Sequence, residues 1–386
     1  MNRFYRESNK VFGNNIAWLL SSDIRIKSGQ NKGALYGWKN LDPVSFPFIY
    51  SEITGYATTT FCWIYSQLGN ISALQAAKES ADWIIKNMRS YLLVARTYIL
   101  DGSDDLSNLF YAFDNGMIMI GLLNLYKVTK DSILLFLAEH MTKTIIKRFF
   151  DGSKLIARVN DSYKPVINNN KRNNGDVRKW STISGAYHCK LSMGLLELSR
   201  LTNNKFYAQV SDSICDYAIT LQKSNGQFIT NPDSNITYLH PHLYSCEGLV
   251  YSGLMQSNNN HYNAGLTGIR WAMEMLDANG SGGLAGNTRK DSVEQSDCSA
   301  QLLRLLILCR SQLRKSLNNS KLDNIIDRLH SRLLDFYIPV GEDLGGMRYH
   351  LGLDSACSWC TMFSMQALAL WRIRYSDKLA WMDYFV

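Results

Sequence analysis

The apolar positions of this chain fall into helical stripes. Across residues 73–88 (ALQAAKESADWIIKNM), Leu74, Ala77, Ala81, Ile84 and Ile85 recur at three- and four-residue steps, while Lys78, Glu79 and Lys86 fall elsewhere. Residues 118–127 and 191–200 carry the same period, and each run is followed by a similar turn, LYKVTKD at 125–131 and LSRLTNN at 198–204. A helix that ends in a Thr-containing polar turn and resumes at once predicts a helical hairpin. Later connections share a second mark, a helix end followed by Asp or Asn with Gly and then an apolar residue: LQKSNGQFI at 221–229, MLDANGSGGLAG at 275–286 and VGEDLGGMRYH at 340–350. Asn and Gly tolerate the left-handed backbone that stops a helix. Alternating apolar runs are few, so extended structure is expected only in short pieces near 154–159 and 228–230.

Above the single helix lies a longer period. A polar, ionisable or aromatic residue stands before a short apolar helical run six times: Glu52, Asp114, His188, Glu247, Asp297 and Trp359, separated by 62, 74, 59, 50 and 62 residues. Two helices with their connections occupy about that length. Six such hairpins closing on themselves form an all-α (α/α)6 toroid with minimal β structure, whose inner helices begin around one cavity. That geometry would gather the six marks.

Composition narrows the picture. The chain has 386 residues, 46% of them hydrophobic, and no Pro-rich, Ser/Gly-rich or single-sign stretch divides it. It reads as one domain spanning 1–386, with a polar surface loop at 166–179 (VINNNKRNNGDVRK). The N-terminal apolar patch, 16–20, is too short for a secretory core, and no run approaches a membrane span. Eight cysteines, most of them inside helical runs, suit small core residues in a reducing compartment, so a cytoplasmic location is expected. Cys357 and Cys360 form a CxxC with no second pair, and no metal or cofactor is expected. The formal charge of +8 is spread along the chain, unlike the dense stripe of a nucleic-acid binder.

The segments YSEITGY (50–56), FDNGM followed by GLLNLY, AYHCKLSMGLLEL, HPHLYSCEGL (240–249), DCSAQLLRL and GGMRYH with WCTMFSMQALALW carry a family likeness. Through them the chain resembles the six-hairpin, (α/α)6-toroid carbohydrate-active proteins encoded in bacterial surface-polysaccharide gene clusters, from about Gly33 to Trp371. The resemblance implies an oligosaccharide, a polysaccharide or an activated sugar as partner, neutral or acidic. The toroid hosts hydrolases, lyases and epimerases alike.

Candidate residues follow from the marks. Glu52 and Glu247 form the expected carboxylate pair for glycoside hydrolysis, one protonating the departing oxygen and the other activating water or attacking the anomeric carbon; Asp114 and Asp297 stand in reserve. His188 has a side chain suited to proton transfer near neutrality. In a second reading, a polysaccharide lyase or uronate C5-epimerase, His188 or Tyr244 would abstract the proton and Arg348 would neutralise the carboxylate. Tyr56, Tyr187, His240, Tyr244 and Tyr349 are expected to contact the sugar, and Trp38 to stack on it. His240 and His242 flank a proline and do not make a zinc site. A third reading makes the cavity residues caps and core in a glycan-binding or scaffold protein of a polysaccharide assembly system. Gly116 and Gly121 are expected to permit close helix packing.

Overall fold

The computed structural model describes residues 2–99, 109–166, 179–232, 234–276, 283–315, 318–373 and 379–386. Thirteen helices dominate these residues: α1 (Asn2–Ser21), α2 (Ser51–Leu68), α3 (Ile71–Lys86), α4 (Ala112–Thr129), α5 (Ser132–Phe149), α6 (Ser192–Thr202), α7 (Lys205–Thr220), α8 (Leu239–Gln256), α9 (Asn259–Glu274), α10 (Ser296–Leu308), α11 (Arg310–Leu313), α12 (Asn319–Asp335) and α13 (Ser358–Arg372). The polar loop expected at 166–179 falls almost wholly outside the described residues.

Four hairpins turn by one local device. Gly69, Lys130, Asn203 and Ser257 end α2, α4, α6 and α8 in the left-handed region, with φ of 65°, 61°, 55° and 55°. The next residue, Asn70, Asp131, Asn204 or Asn258, then caps the following helix by accepting from its first-turn N–H groups. A left-handed stop followed directly by an Asx cap reverses the chain in two residues. The similar turns seen in the sequence at 125–131 and 198–204 are two of these four.

The helices form two concentric layers. α2, α4, α6, α8, α10 and α13 make the inner ring, each packed on the next, and α13 packs on α2 to close it. α3, α5, α7, α9 and α12 lie outside, with α1 as the outer partner of α13. Position decides pattern: every residue from Ala112 to Leu125 of α4 is buried, whereas α12 buries one apolar face, Leu322, Ile325, Ile326, Leu329 and Leu333. The expected (α/α)6 toroid is the observed fold.

Short antiparallel strands accompany the helices: β1 (Trp38–Leu41), β2 (Val44–Ser45), β3 (Phe48–Tyr50), β4 (Thr97–Ile99), β5 (Leu109–Tyr111), β6 (Arg158–Asn160) and β7 (Ser355–Cys357), of which β3, β5 and β7 run directly into α2, α4 and α13. β3 pairs with β4 and β5 with β6, while β1 lies between β2 and β7 with Trp38 opposite Cys357. β1–β7 therefore fastens the first hairpin to the last. The extended pieces expected near 154–159 and 228–230 appear as β6 with the bridge Phe150–Leu155, and as the bridge Gln222–Phe228.

At the far end of the ring, the segment Leu379–Tyr384 and the residues after it tuck inside. Asp383 meets Lys127 at 2.8 Å and accepts from the Tyr251 hydroxyl at 2.8 Å. Phe385 and Val386 are buried. All eight cysteines are buried and none forms a disulfide. Among the described residues no helix is long and apolar enough to cross a membrane.

Candidate active site

Counting from the cap of each inner helix explains which residues meet. The caps Tyr50, Tyr238, Gln295 and Cys357 precede α2, α8, α10 and α13, so Glu52, His240, Asp297 and Trp359 all occupy the second helical position. All four line a cavity of about 370 Å³ at the start of the inner ring. One turn deeper, the sixth positions are Tyr56, Tyr244, Gln301 and Phe363; Tyr56 and Tyr244 join across the ring at 2.5 Å between hydroxyls. The ninth positions of α8, α10 and α13 are Glu247, Arg304 and Gln366. The ring is thus layered at steps of three and four residues, as a helical face requires.

Glu52 is 8% exposed, and the hydroxyls of Tyr50 and Tyr56 nearby favour its charged form. Burial raises its pKa to about 8, the nearby Asp114 adds to the rise, and Arg96 opposes it. Such a carboxyl holds its proton at neutral pH. Asp114 does not line the cavity: it is fully buried in a bidentate pair with Arg96, at 2.7 and 2.8 Å. Arg96 also lies over the Tyr111 ring and donates to Ser181 at 3.1 Å, placing the pair just behind the cavity wall.

Asp297 sits in a different setting. Its Oδ1 accepts from the Cys298 N–H at 2.8 Å and its Oδ2 from the Trp359 indole at 3.1 Å. His240 Nδ1 lies 3.5 Å from the same Oδ2, is buried, and has no hydrogen-bond partner. Burial pulls the His240 pKa down against the opposing pull of Asp297, favouring a neutral imidazole. His240, Asp297 and Cys298 bring one potential metal-ligand atom each within 4.8 Å of one another, although both Asp297 oxygens are already engaged by N–H donors.

Several residues singled out in the sequence lie elsewhere. Glu247 is fully buried beneath the floor, bound by Lys190 at 2.5 Å and Arg304 at 2.7 Å, and both cations also donate to the Val386 carbonyl oxygen. Seven residues beyond His240 on α8, it is roughly 10 Å further down the axis. His188, in the 3-10 turn Ala186–Leu191, is buried with its pKa pulled by burial to about 3. Tyr187 packs on Phe113, Trp180 and His188 and donates to the Ile183 carbonyl at 3.1 Å. Trp38 packs edge-on against Phe48 and Trp359, behind the wall. The Arg348 side chain is not among the lining groups; its carbonyl accepts from Ser296 at 2.7 Å and helps seat α10. Tyr56, Tyr244 and Tyr349 do line the cavity.

The cavity also includes residues that the sequence reading did not assign to the site: Tyr50, Trp180, Tyr238, Gln295 and Asn287. Three of these, Tyr50, Tyr238 and Gln295, are the caps of inner helices and stand two residues before Glu52, His240 and Asp297. Trp180 follows the polar loop, and no periodic pattern marked it.

The fold and a tyrosine- and tryptophan-walled cavity at the inner helix starts define the molecule as a six-hairpin (α/α)6 toroid. Cellobiose 2-epimerase from Bacillus thermoamylovorans has the same fold, with a TM-score of 0.75 and 12% identity over 96% of this chain and 100% of that one. A D-mannose isomerase aligns with a TM-score of 0.71 and 10% identity, covering 95% of this chain and 97% of its own. Unsaturated glucuronyl hydrolase from Bacillus sp. GL1 gives 0.64 and 13%, covering 94% and 96%. No protein-family model and no curated protein matches the sequence.

Proposed function

We propose that this protein hydrolyses a glycosidic bond of a neutral oligosaccharide, with Glu52 as the acid and Asp297 as the base. One observation carries the reading: two carboxyl groups on different inner helices face one aromatic cavity in opposite settings. Glu52 is buried and has its pKa raised to about 8, while Asp297 takes two N–H donors. Divergent environments of this kind divide acid from base. Glu52 would deliver its proton to the departing glycosidic oxygen as the C–O bond breaks. Asp297 would take a proton from the attacking water, or attack the anomeric carbon itself and release it to water in a second step. Trp180, Trp359, Tyr238 and Tyr349 supply flat walls for sugar rings, and Gln295 and Asn287 supply amides for hydroxyls. The neutral-substrate reading rests on charge: Lys179 is the one cationic side chain among the described lining residues, and it is exposed.

A second reading rests on His240. A neutral imidazole with a buried, unpartnered Nδ1 at the cavity suits proton transfer at a carbon beside a sugar carbonyl, as epimerisation or isomerisation requires. Two of the proteins that share this fold are an epimerase and an isomerase. A lyase or uronate C5-epimerase would need a cation on the substrate carboxylate, and Arg348 lies outside the lining.

Incubation with neutral and uronate-containing oligosaccharides in deuterated water, followed by mass spectrometry, separates these readings. Fragments gaining one water, lost about 10²–10⁴-fold in Glu52→Gln, are the expected result. Isomers of unchanged composition that have taken up one deuterium would move the assignment to His240. Unsaturated fragments would restore elimination. Saturable binding without any product would leave a glycan-binding scaffold.

A further inference from the structure

The cavity lies at the start of the inner ring, so the tight turns that end α2, α4, α6 and α8 share the opposite face of the toroid. That face carries large apolar side chains in water. Ile71, at the first position of α3, is 68% exposed; Ile133 and Phe136, at the second and fifth positions of α5, are 62% and 54% exposed; Phe206, at the second position of α7, is 50% exposed. Leu68 and Met255, near the ends of α2 and α8, are exposed beside them. The hairpin does not demand this. The corresponding tips of α9 and α12 carry the exposed polar residues Asn259, Asn260, Asn319 and Ser320. The apolar tips therefore mark an arc formed by the first three hairpins and the end of α8, rather than a rule of the turn.

Cations interleave with this arc. Lys130, the left-handed stop of α4, and Lys205, the first residue of α7, are both exposed at the same turns. The neighbouring Asp131 has its carboxylate turned onto the Ile133 N–H as a helix cap. The chain as a whole carries +8. Apolar tips that project between lysines fit a surface offering hydrocarbon beneath a layer of negative charge. A second copy of this chain fits less well, since a two-fold contact would set Lys130 and Lys205 against the same lysines.

We propose that the closed end of the toroid, at the tips of α3, α5 and α7, docks on an anionic lipid bilayer, with Ile71, Ile133, Phe136 and Phe206 entering the headgroup layer. The cavity then opens away from the membrane. None of the described helices crosses; the attachment is peripheral and depends on salt.

The test is co-sedimentation of the full chain with vesicles of phosphatidylcholine alone and of phosphatidylcholine with phosphatidylglycerol. Sedimentation with the anionic vesicles only, weakened by salt, is expected. Ile133→Ser with Phe136→Ser and Phe206→Ser should weaken it at least tenfold, and Lys130→Asn or Lys205→Glu about fivefold each. All five positions are exposed, so thermal melting should be unchanged and folding is checked directly; single serine variants replace the triple if its melting falls. No sedimentation with either vesicle, equal sedimentation with both, or sedimentation untouched by these variants overturns the proposal. So does a concentration-dependent dimer in sedimentation velocity that the serine variants dissolve, which would assign the arc to a second copy.

Discussion

In the proposed reaction, Glu52 couples activity to stability through one proton. Its carboxyl has a pKa of about 8 in the folded protein against 4.5 as its ordinary value, with burial as the main cause. Between those limits the folded state binds a proton that the unfolded state has released, so this group's contribution is full below pH 4.5 and is lost as pH rises through 8. Glu52→Gln is therefore expected to lower turnover about 10²–10⁴-fold and raise the melting midpoint, with a larger rise at pH 8 than at pH 5 in a thermal-shift series; an equal rise at both would contradict the raised pKa. The Tyr56 hydroxyl favours the charged form of Glu52, so Tyr56→Phe should move the alkaline limb of the pH–rate profile upward while leaving the acid limb in place. Glu247 predicts the opposite of Glu52. It neutralises Lys190 and Arg304 in a fully buried cluster, and burial has already lowered the Lys190 pKa to about 8. Glu247→Ala strips Lys190 and Arg304 of their buried counter-charge and should cost about 3–5 kcal/mol by denaturant unfolding. The sequence could not separate these two glutamates. Each precedes an apolar helical run, and only the start of α8 at Leu239 shows that His240, rather than Glu247, shares the level of Glu52.

The helices were legible where the pattern is local. The stripe at 73–88 is α3, the run at 118–127 lies within α4, and the run at 191–200 overlaps α6 almost entirely. Starts were harder to place. α8 begins at Leu239 and carries Pro241 at its third position, because a first-turn residue needs no N–H partner and Pro is accepted throughout that turn. Close packing of inner helices has its own signature in small residues. A Cβ on Gly121 would lie 2.8 Å from the Gly55 carbonyl oxygen, and one on Gly55 would lie 2.9 Å from the Ile118 nitrogen, so α2 and α4 meet backbone to backbone. Gly121→Ala gains about 1 kcal/mol of helix propensity, but it must push the two helices apart. A net loss of about 1–2 kcal/mol is expected, read as a lower denaturant midpoint at unchanged slope. Gly116 faces the buried Leu191 side chain instead, whose Cγ would lie 2.4 Å from the new Cβ, so Gly116→Ala should force that side chain to repack.

At the scale of the molecule, the period of about sixty residues carried the architecture, because each hairpin writes its own helices and turns into adjacent sequence. What closes the ring is not written locally. β1 pairs with β7, α1 packs on α13, and α13 reaches α2, contacts whose partners stand some three hundred residues apart in sequence. Short strands such as Trp38–Leu41 and Ser355–Cys357 leave too little pattern to be paired from sequence alone. This closure has a consequence for biosynthesis. As the chain leaves the ribosome, five hairpins emerge before the piece that seals them, and until Ser355 and α13 arrive the inner faces of α2 and α10 have no cover. The nascent protein passes through a stage with two open apolar edges, a stage that invites chaperones or neighbouring chains on a polysome. A polypeptide stopped before Ser355 should bind a hydrophobic dye and self-associate. Adding residues 355–386 as a separate peptide should restore a monomer that melts cooperatively. If the shortened chain is monomeric and dye-silent by itself, the last hairpin is an ornament on an arc that was already stable.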